Sequence, residues 1–221
     1  MNETNLSGKT AVVLGASSLC GRATARMLAS RGVNLALGGR SRGELESLQE
    51  EISAFGGQVL VVGTHLAKRH HPAHLVEAAL EEYGGLDILL FMAHATAPPL
   101  DSLDLDAWER SIDVNIKGFM YCLSASLPAL AEDEGGCIAV LNIGEREGMP
   151  DPLLRASQAA LRTILEEISG GSGESFEHPL RAIEVCSDAW LVDSPERCAQ
   201  TMVNALDFLP ETNAGLFKYR T

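Results

Sequence analysis

The sequence predicts an α/β fold: a doubly wound, parallel β-sheet of about seven strands with helices on both faces. Short apolar runs of strand length recur along the chain, and each is followed by a segment whose apolar residues fall three or four apart, as they do in a helix. Most residues of these runs are apolar on both faces, so both faces of the strands are expected to be buried. Strands of this kind that alternate with helices form a parallel sheet covered on both sides.

The predicted elements follow one another in a regular order. The strands lie at 10–14, 34–38, 58–63, 88–92, 137–143 and 181–186, with a weaker last strand at 216–219. The helices lie at 20–31, 42–55, 72–83, 105–132, 153–169 and 195–209. Gly32, Gly56 and Gly84 come just after helical segments, where a left-handed residue ends a helix at least steric cost. The segment 169–179, SGGSGESFEHP, is predicted to be a flexible linker.

Length and charge narrow the range of functions. The 221 residues, 46% of them hydrophobic, are expected to form a single domain over 1–221 with a large core. The formal net charge of -13 disfavours nucleic acid and anionic membranes as partners. Five scattered cysteines are typical of reduced, buried thiols, and the chain shows neither a leader pattern nor an apolar run long enough to span a bilayer. We therefore expect a cytoplasmic protein.

A glycine-containing turn joins the first strand to the first helix. The segment GASSLCG runs from Gly15 to Gly21 directly after the first strand. A tight turn of this type leaves backbone N–H groups and the positive end of the helix directed at a ligand, usually a pyrophosphate. We therefore predict a Rossmann-like nucleotide site, with phosphate contacts from Gly15, Ser17, Ser18, Leu19, Cys20 and Gly21. At Cys20, packing is a better interpretation than redox sensing.

The segments around this turn resemble a known family. LSGKTAVVLGASSLCGRATARMLASRGVNLALGGRS, at 6–41, resembles the beginning of a short-chain dehydrogenase/reductase, whose fingerprint is TGxxxGxG. Gly15 and Gly21 match the first and last glycines, whereas Leu14 replaces the threonine and Leu19 the middle glycine. GGLDILL at 84–90 and WERSIDVNIKGFMYC at 108–122 extend the resemblance over nearly the whole chain.

The resemblance implies a nicotinamide dinucleotide as cofactor. Arg40, Ser41 and Arg42 follow the second strand, where a carboxylate would bind a ribose 2′-OH and an arginine would pair with a 2′-phosphate. Two arginines and no acid favour NADP(H) over NAD(H). The alternative is that Arg40 and Arg42 only solvate a surface loop.

Other cofactor positions depart from the family pattern. His65 and Leu66 stand where the family has an Asp-Val pair that meets the adenine, and the segment from Phe91 through Ala93 to His94 replaces an NNAG motif. Leu19 is expected to place a branched side chain where the backbone would approach the pyrophosphate. These changes predict that NADP(H) binds weakly or is displaced.

The catalytic positions implied by the resemblance are also changed. The family uses a Tyr as proton donor and a Lys four residues later that lowers the Tyr pKa and holds the ribose, and residues i and i+4 share one face of a helix. In LLRASQAAL, Leu154 occupies the Tyr position and Gln158 the Lys position. The Ser position holds Glu145 or Gly144, and only Asn115 remains of the four. Asn115 can also have a structural role at a local helix irregularity.

Three other ionisable residues fall at the ends of central strands. Ligands of open α/β sheets bind beyond the carboxyl ends of the strands, where the sequence places His94, Glu145 and Asp188. A histidine beside a carboxylate is a workable acid/base pair, so these three are a hypothesis for a non-standard active site. The alternative is that loop ends of an acidic protein are simply polar.

The connection after the sixth strand is short, so we expect no room for a lid that closes over a substrate.

Two functions from different classes remain. The first is a degenerate family member that binds a small-molecule ligand, as yet unknown, or pairs with another subunit. The second is an active enzyme, either an NADP(H)-dependent carbonyl/alcohol oxidoreductase or a non-redox enzyme with a substituted proton donor.

Helices 105–132 and 153–169 are expected to make a homodimer or homotetramer contact, as the resemblance implies. The histidines of KRHHPAH, His70, His71 and His74, are better explained by a solvated loop than by a metal site.

Overall fold

The computed structural model describes residues 6–102, 104–132, 136–143, 151–170, 180–187, 194–207 and 216–220. The strands are β1 (Thr10–Leu14), β2 (Asn34–Gly39), β3 (Val59–Gly63), β4 (Ile88–Phe91), β5 (Cys137–Ile143), β6 (Arg181–Ser187) and β7 (Phe217–Arg220). Each agrees with its predicted bounds to within one residue. The helices are α1 (Leu19–Ser30), α2 (Arg42–Ala54), α3 (His70–Tyr83), α4 (Leu105–Ile112), α5 (Gly118–Leu130), α6 (Pro152–Ser169) and α7 (Pro195–Asp207).

The seven strands form one sheet in the order β3-β2-β1-β4-β5-β6-β7. Every neighbouring pair is parallel. The predicted doubly wound parallel sheet is therefore confirmed. The chain order reverses between β1 and β4, which is the place where open α/β sheets form a crevice for ligands.

The core lies on both faces of the sheet, because successive side chains of a strand point to opposite sides. Ala11 and Val13 of β1 pack in the cluster that includes residues of α1, α2 and α7. Val12 and Leu14 pack in the cluster that includes residues of α3, α5 and α6. This two-sided burial is the physical reason that central strands such as β1 and β4 are almost wholly apolar.

Two helical predictions need correction. The segment predicted as one α-helix at 105–132 contains a π-helical turn at Asp113–Lys117 between α4 and α5, with right-handed dihedrals on both sides of it. The segment around His70, His71 and His74 was predicted to be a loop, but α3 begins at His70. Gly32, Gly56 and Gly84 have φ values of 78°, 85° and 79°, as expected of residues that end helices.

None of the helices in the described segments is both long enough and apolar enough to span a bilayer.

Candidate functional site

The turn between β1 and α1 is built on two glycines that no other residue could replace without strain. Gly15 has a φ of 87°, and a Cβ atom there would lie 2.7 Å from the backbone nitrogen of Ala93. A Cβ at Gly21 would collide with the carbonyl oxygen of Gly15. Ser18 caps α1, because its Oγ accepts a hydrogen bond from the Gly21 N–H at 3.0 Å and donates one to the Gly15 carbonyl at 2.9 Å. The turn therefore packs closely against the start of α1 and against the residues that follow β4.

Leu19 and Cys20 follow this turn but do not line the cleft described below. Leu19 is the first residue of α1, and 66% of it is exposed. Cys20 is buried, and a hydrogen bond from the Cys198 thiol lowers its pKa. The packing interpretation of Cys20 thus agrees with its position in the core cluster against α7.

The end of β2 carries one of the positive charges of the site. Two buried glycines, Gly38 and Gly39, end the strand, and a Cβ at Gly39 would lie 2.8 Å from Ser17 Oγ. Arg40 is exposed, and no hydrogen bond or ion pair joins its guanidinium to another of the described residues. Ser41 is the N-cap of α2, but its hydroxyl makes no capping hydrogen bond. Both side chains are therefore available to a ligand.

Arg42 differs from Arg40 although the sequence predicted the same role for both. It is the first residue of α2, and its Nε donates a hydrogen bond to Glu46 Oε1 at 2.7 Å, one helical turn later. Its side chain is 83% exposed and is absent from the lining of the cleft. Of the two arginines, Arg40 lines the cleft, whereas Arg42 is paired with Glu46 outside it.

The end of β3 is held by hydrogen bonds to its neighbours. The Thr64 N–H donates to the Gly39 carbonyl at 2.8 Å, and Thr64 Oγ1 donates to the Val62 carbonyl at 3.0 Å. The His65 N–H donates to His71 Nδ1 at 3.2 Å, so this histidine of α3 has a structural role. Within the described residues, no group of three or more potential metal ligands lies together.

The loop after β4 carries His94 and is held from two sides. Asn115, in the π-helical turn, accepts a hydrogen bond from the Ala95 N–H at 2.7 Å and donates to the Ala95 carbonyl at 2.8 Å. Asp151 accepts from the Ala97 N–H at 2.8 Å and from the Leu154 N–H at 2.8 Å, which also caps α6. Asn115 is buried and does not line the cleft, so its contacts favour a structural role.

The electrostatics of His94 depend on this environment. Burial lowers its pKa, while a hydrogen bond to the Met92 carbonyl and the negative charge of Asp151 act in the opposite direction. Asp151 was not identified from the sequence as a site residue. The two carboxylates that were predicted beside His94, Glu145 and Asp188, lie outside the described residues.

Helix α6 carries the positions that correspond to the Tyr and Lys of the family pattern. Leu154 is 6% exposed. Gln158 Nε2 donates a hydrogen bond to the Ile143 carbonyl at 3.0 Å, which ties α6 to the end of β5. Ser157 Oγ donates to the Leu153 carbonyl within the helix at 2.8 Å. These three side chains are engaged in packing or in bonds to the backbone.

The carboxyl ends of β1 to β4 and the start of α2 enclose a cleft of about 910 Å³. The predicted residues that line it are Gly15, Ser17, Ser18, Arg40, Ser41, His65, Leu66, Ala93 and His94. Lining residues that sequence reasoning missed include Glu44, Thr64, Arg110 and Asp113. Of these, only Glu44 had a readable signal, because a Ser and a Glu three residues apart form a capping-box pattern.

The chain is similar to known proteins of one family. The family model for short chain dehydrogenases matches residues 9–168. The chain belongs to the short-chain dehydrogenase family. A glycine betaine reductase of Emericella nidulans is 41% identical to this dehydrogenase homologue over 147 residues, which are 66% of this chain and 12% of that protein. An uncharacterized oxidoreductase of Listeria monocytogenes is 34% identical over 165 residues, 73% of this chain and 66% of that protein. The chain therefore spans less than two-thirds of the length of both.

Solved structures of short-chain dehydrogenases have the same fold. A metagenomic short-chain oxidoreductase in complex with NADP has a TM-score of 0.80 at 25% identity, with 98% of this chain and 99% of that chain covered. A short chain dehydrogenase/reductase from Burkholderia phymatum in complex with NAD has a TM-score of 0.74 at 25% identity, with 83% and 67% covered. Of these two similar structures, one thus contains NADP and the other NAD.

Proposed function

We propose that the protein binds NADP(H) in the cleft at the ends of β1 to β4 and does not use the tyrosine-dependent chemistry of its family. One combination of features carries the proposal. The cleft keeps an available Arg40 and Ser41, whereas α6 presents a buried Leu154 and a Gln158 bonded to the Ile143 carbonyl. Leucine has no proton to donate, and glutamine has no charge with which to lower the pKa of a neighbour.

The residues of the cleft fit the nucleotide half of NADP(H). Gly15, Ser17 and Ser18 of the turn before α1 line the cleft, so a pyrophosphate can approach the backbone and the start of α1. Arg40 and Ser41 would hold the 2′-phosphate, because an arginine and a hydroxyl donate the charge-assisted hydrogen bonds that phosphate oxygens accept. His65 and Leu66 would pack against the adenine. When bound, the cofactor supplies a hydride donor or acceptor.

The position of Leu19 affects the prediction that NADP(H) binds weakly. Its side chain is largely exposed and does not line the cleft. The replacement of the middle glycine therefore leaves the described cleft open, which favours binding over displacement of the cofactor.

The decisive test measures binding and turnover separately. Isothermal titration with NADPH and NADH is expected to give tighter binding of NADPH. Arg40→Gln should weaken the binding of NADPH by about tenfold or more, since a charge-assisted hydrogen bond is worth about 1.5–3 kcal/mol. The binding of NADH should be unchanged. Arg42→Gln is the matched control, because Arg42 is paired with Glu46 outside the cleft. Equal effects of the two substitutions, or no binding by the wild type, would refute the proposal.

A second function is favoured by the position of His94. It lines the cleft, and the charge of Asp151 influences it, so the two residues could serve an NADP(H)-dependent oxidoreductase or a non-redox enzyme as an acid/base pair. The oxidoreductase relatives agree with this alternative. Turnover of a carbonyl panel, followed at the NADPH absorbance and lost in His94→Gln, would replace the first proposal with the second.

Pairing of subunits is part of the same proposal. Leu105 of α4 and Met120 of α5 are 62% and 42% exposed, on helices that are expected to contact a second copy in a homodimer or homotetramer. Light scattering is expected to give a multiple of 23.6 kDa, and a monomer mass would refute the pairing. A cytoplasmic location also belongs to this proposal and agrees with five cysteines that form no disulfide.

A further inference from the structure

An acidic side chain lies in the part of the cleft that the proposed function assigns to the 2′-phosphate. Glu44 is the third residue of α2, less than one helical turn from the N-cap Ser41, and lines the cleft together with Arg40 and Ser41. In a capping box, the N-cap hydroxyl and the Glu three residues later bond to each other's backbone N–H groups. Ser41 makes no such bond here, and the Glu44 carboxylate has no hydrogen-bond or ion-pair partner within the described residues. Its charge is therefore available to a ligand.

The backbone of Glu44 is held in place from the neighbouring helix. Arg22 of α1 donates from Nη1 to the Glu44 carbonyl oxygen at 2.6 Å and from Nη2 to Glu51 Oε1 at 2.6 Å. Arg26 donates from Nε to Glu51 Oε2 at 2.7 Å. The side-chain ion pairs of Arg22 and Arg26 are thus made with Glu51, and the Glu44 carboxylate is not neutralised by them.

We propose that Glu44 sets the cofactor selectivity of the cleft by opposing the 2′-phosphate that Arg40 attracts. This inference rests on the proposed function. A carboxylate repels a second anion, and it accepts a hydrogen bond from a ribose 2′-OH. Glu44 therefore weakens the binding of NADPH and strengthens the binding of NADH. The preference for NADPH is thus smaller than Arg40 and Ser41 alone would produce. The sequence shows two arginines and no acid directly after β2, which concealed this opposition.

The test compares the selectivity of two variants that change the charge equally. Dissociation constants of NADPH and NADH are measured for the wild type, Glu44→Gln and Glu50→Gln. Glu50 lies on α2, is exposed and is absent from the cleft lining, so Glu50→Gln removes the same charge outside the cleft. We expect the ratio of NADH to NADPH dissociation constants to rise about tenfold in Glu44→Gln, which corresponds to about 1.4 kcal/mol. In Glu50→Gln the ratio should change by less than about twofold.

The outcomes separate this inference from the proposed function. If the wild type binds NADPH but the ratio in Glu44→Gln is unchanged or lower, the role of Glu44 is refuted and the cofactor assignment stands. If both variants shift the ratio equally, the effect is one of net charge, and the role of Glu44 is again refuted. If the wild type binds neither dinucleotide, the proposed function fails, and the selectivity inference fails with it.

Discussion

His94 is a partly buried histidine on which three influences act in opposite directions. Burial disfavours the imidazolium and dominates, whereas the Met92 carbonyl and the charge of Asp151 favour it. The net effect is a pKa below the ordinary value, so the imidazole is neutral near pH 7. A neutral imidazole in a cleft can accept a proton, and it can donate its remaining N–H to the Met92 carbonyl.

The lowered pKa of His94 predicts a dependence of stability on pH. The unfolded state binds the proton more tightly than the folded state, so His94 contributes stability above the ordinary value near 6.5, and this contribution is lost as pH falls through the folded pKa. NMR titration should show that His94 titrates below 6.5. Urea unfolding at several pH values should show less acid destabilisation in His94→Gln than in the wild type.

Two further variants make this prediction specific. Asp151→Asn should lower the His94 pKa further, because the favourable negative charge is removed. His74→Gln, at an exposed position of α3, should leave the acid dependence close to that of the wild type. A His94 pKa at or above 6.5 would contradict the dominance of burial.

At the scale of elements, α6 is attached to the sheet by polar contacts as well as by its apolar face. Glu184 of β6 is fully buried, and it accepts hydrogen bonds from Arg162 of α6 at 2.6–2.9 Å and from Asn142 of β5 at 2.6 Å. Gln158, one turn earlier on α6, bonds to the end of β5. The helix that carries the changed catalytic positions is thus connected to both strands beneath it.

The buried carboxylate of Glu184 predicts a large cost for removing its partner. Arg162→Met leaves an uncompensated buried charge and is expected to lower the free energy of unfolding by about 3 kcal/mol. Lys218→Met is the matched control: it breaks an ion pair with Glu166, also on α6, in which both side chains are nearly half exposed. That change should cost less than about 1 kcal/mol. Similar losses in urea unfolding for the two variants would contradict this account.

The connections between elements also show what the sequence can and cannot predict. The bounds of the central strands follow from local apolar runs, because β1, β2, β4 and β5 are buried on both faces along almost their whole length. The two arginines alone do not reveal that Arg42 is paired, because Glu46, one turn later, competes for its charge. Asp151 was missed because its importance depends on the packing of the start of α6 against the loop after β4, 54 residues earlier at Ala97. Such long-range contacts leave no local pattern.

At the scale of the whole molecule, two core clusters lie on opposite faces of one sheet. Cys122 of α5 is fully buried in one of them, and Cys198 of α7 is 1% exposed in the other. Burial raises the pKa of the Cys122 thiol. The pKa of Cys198 is raised mainly because its thiol donates a hydrogen bond to Cys20, and burial raises it further. Because the thiolate is the reactive form, both residues are protected in the folded protein.

These two cysteines can test the prediction that the chain folds as one domain. If both core clusters open in a single cooperative step, modification of Cys122 and Cys198 by a thiol reagent should give the same free energy of opening, equal to that of urea unfolding. The sites are distinguished by mass spectrometry after quenching, with rates corrected for those of the unfolded chain. Cys186 is only partly buried and should react first, and Cys186→Ser should remove this early phase alone. Opening free energies for Cys122 and Cys198 that differ by more than about 1 kcal/mol would show that the two faces unfold separately. The sheet would then not couple them, and the single-domain prediction would be refuted.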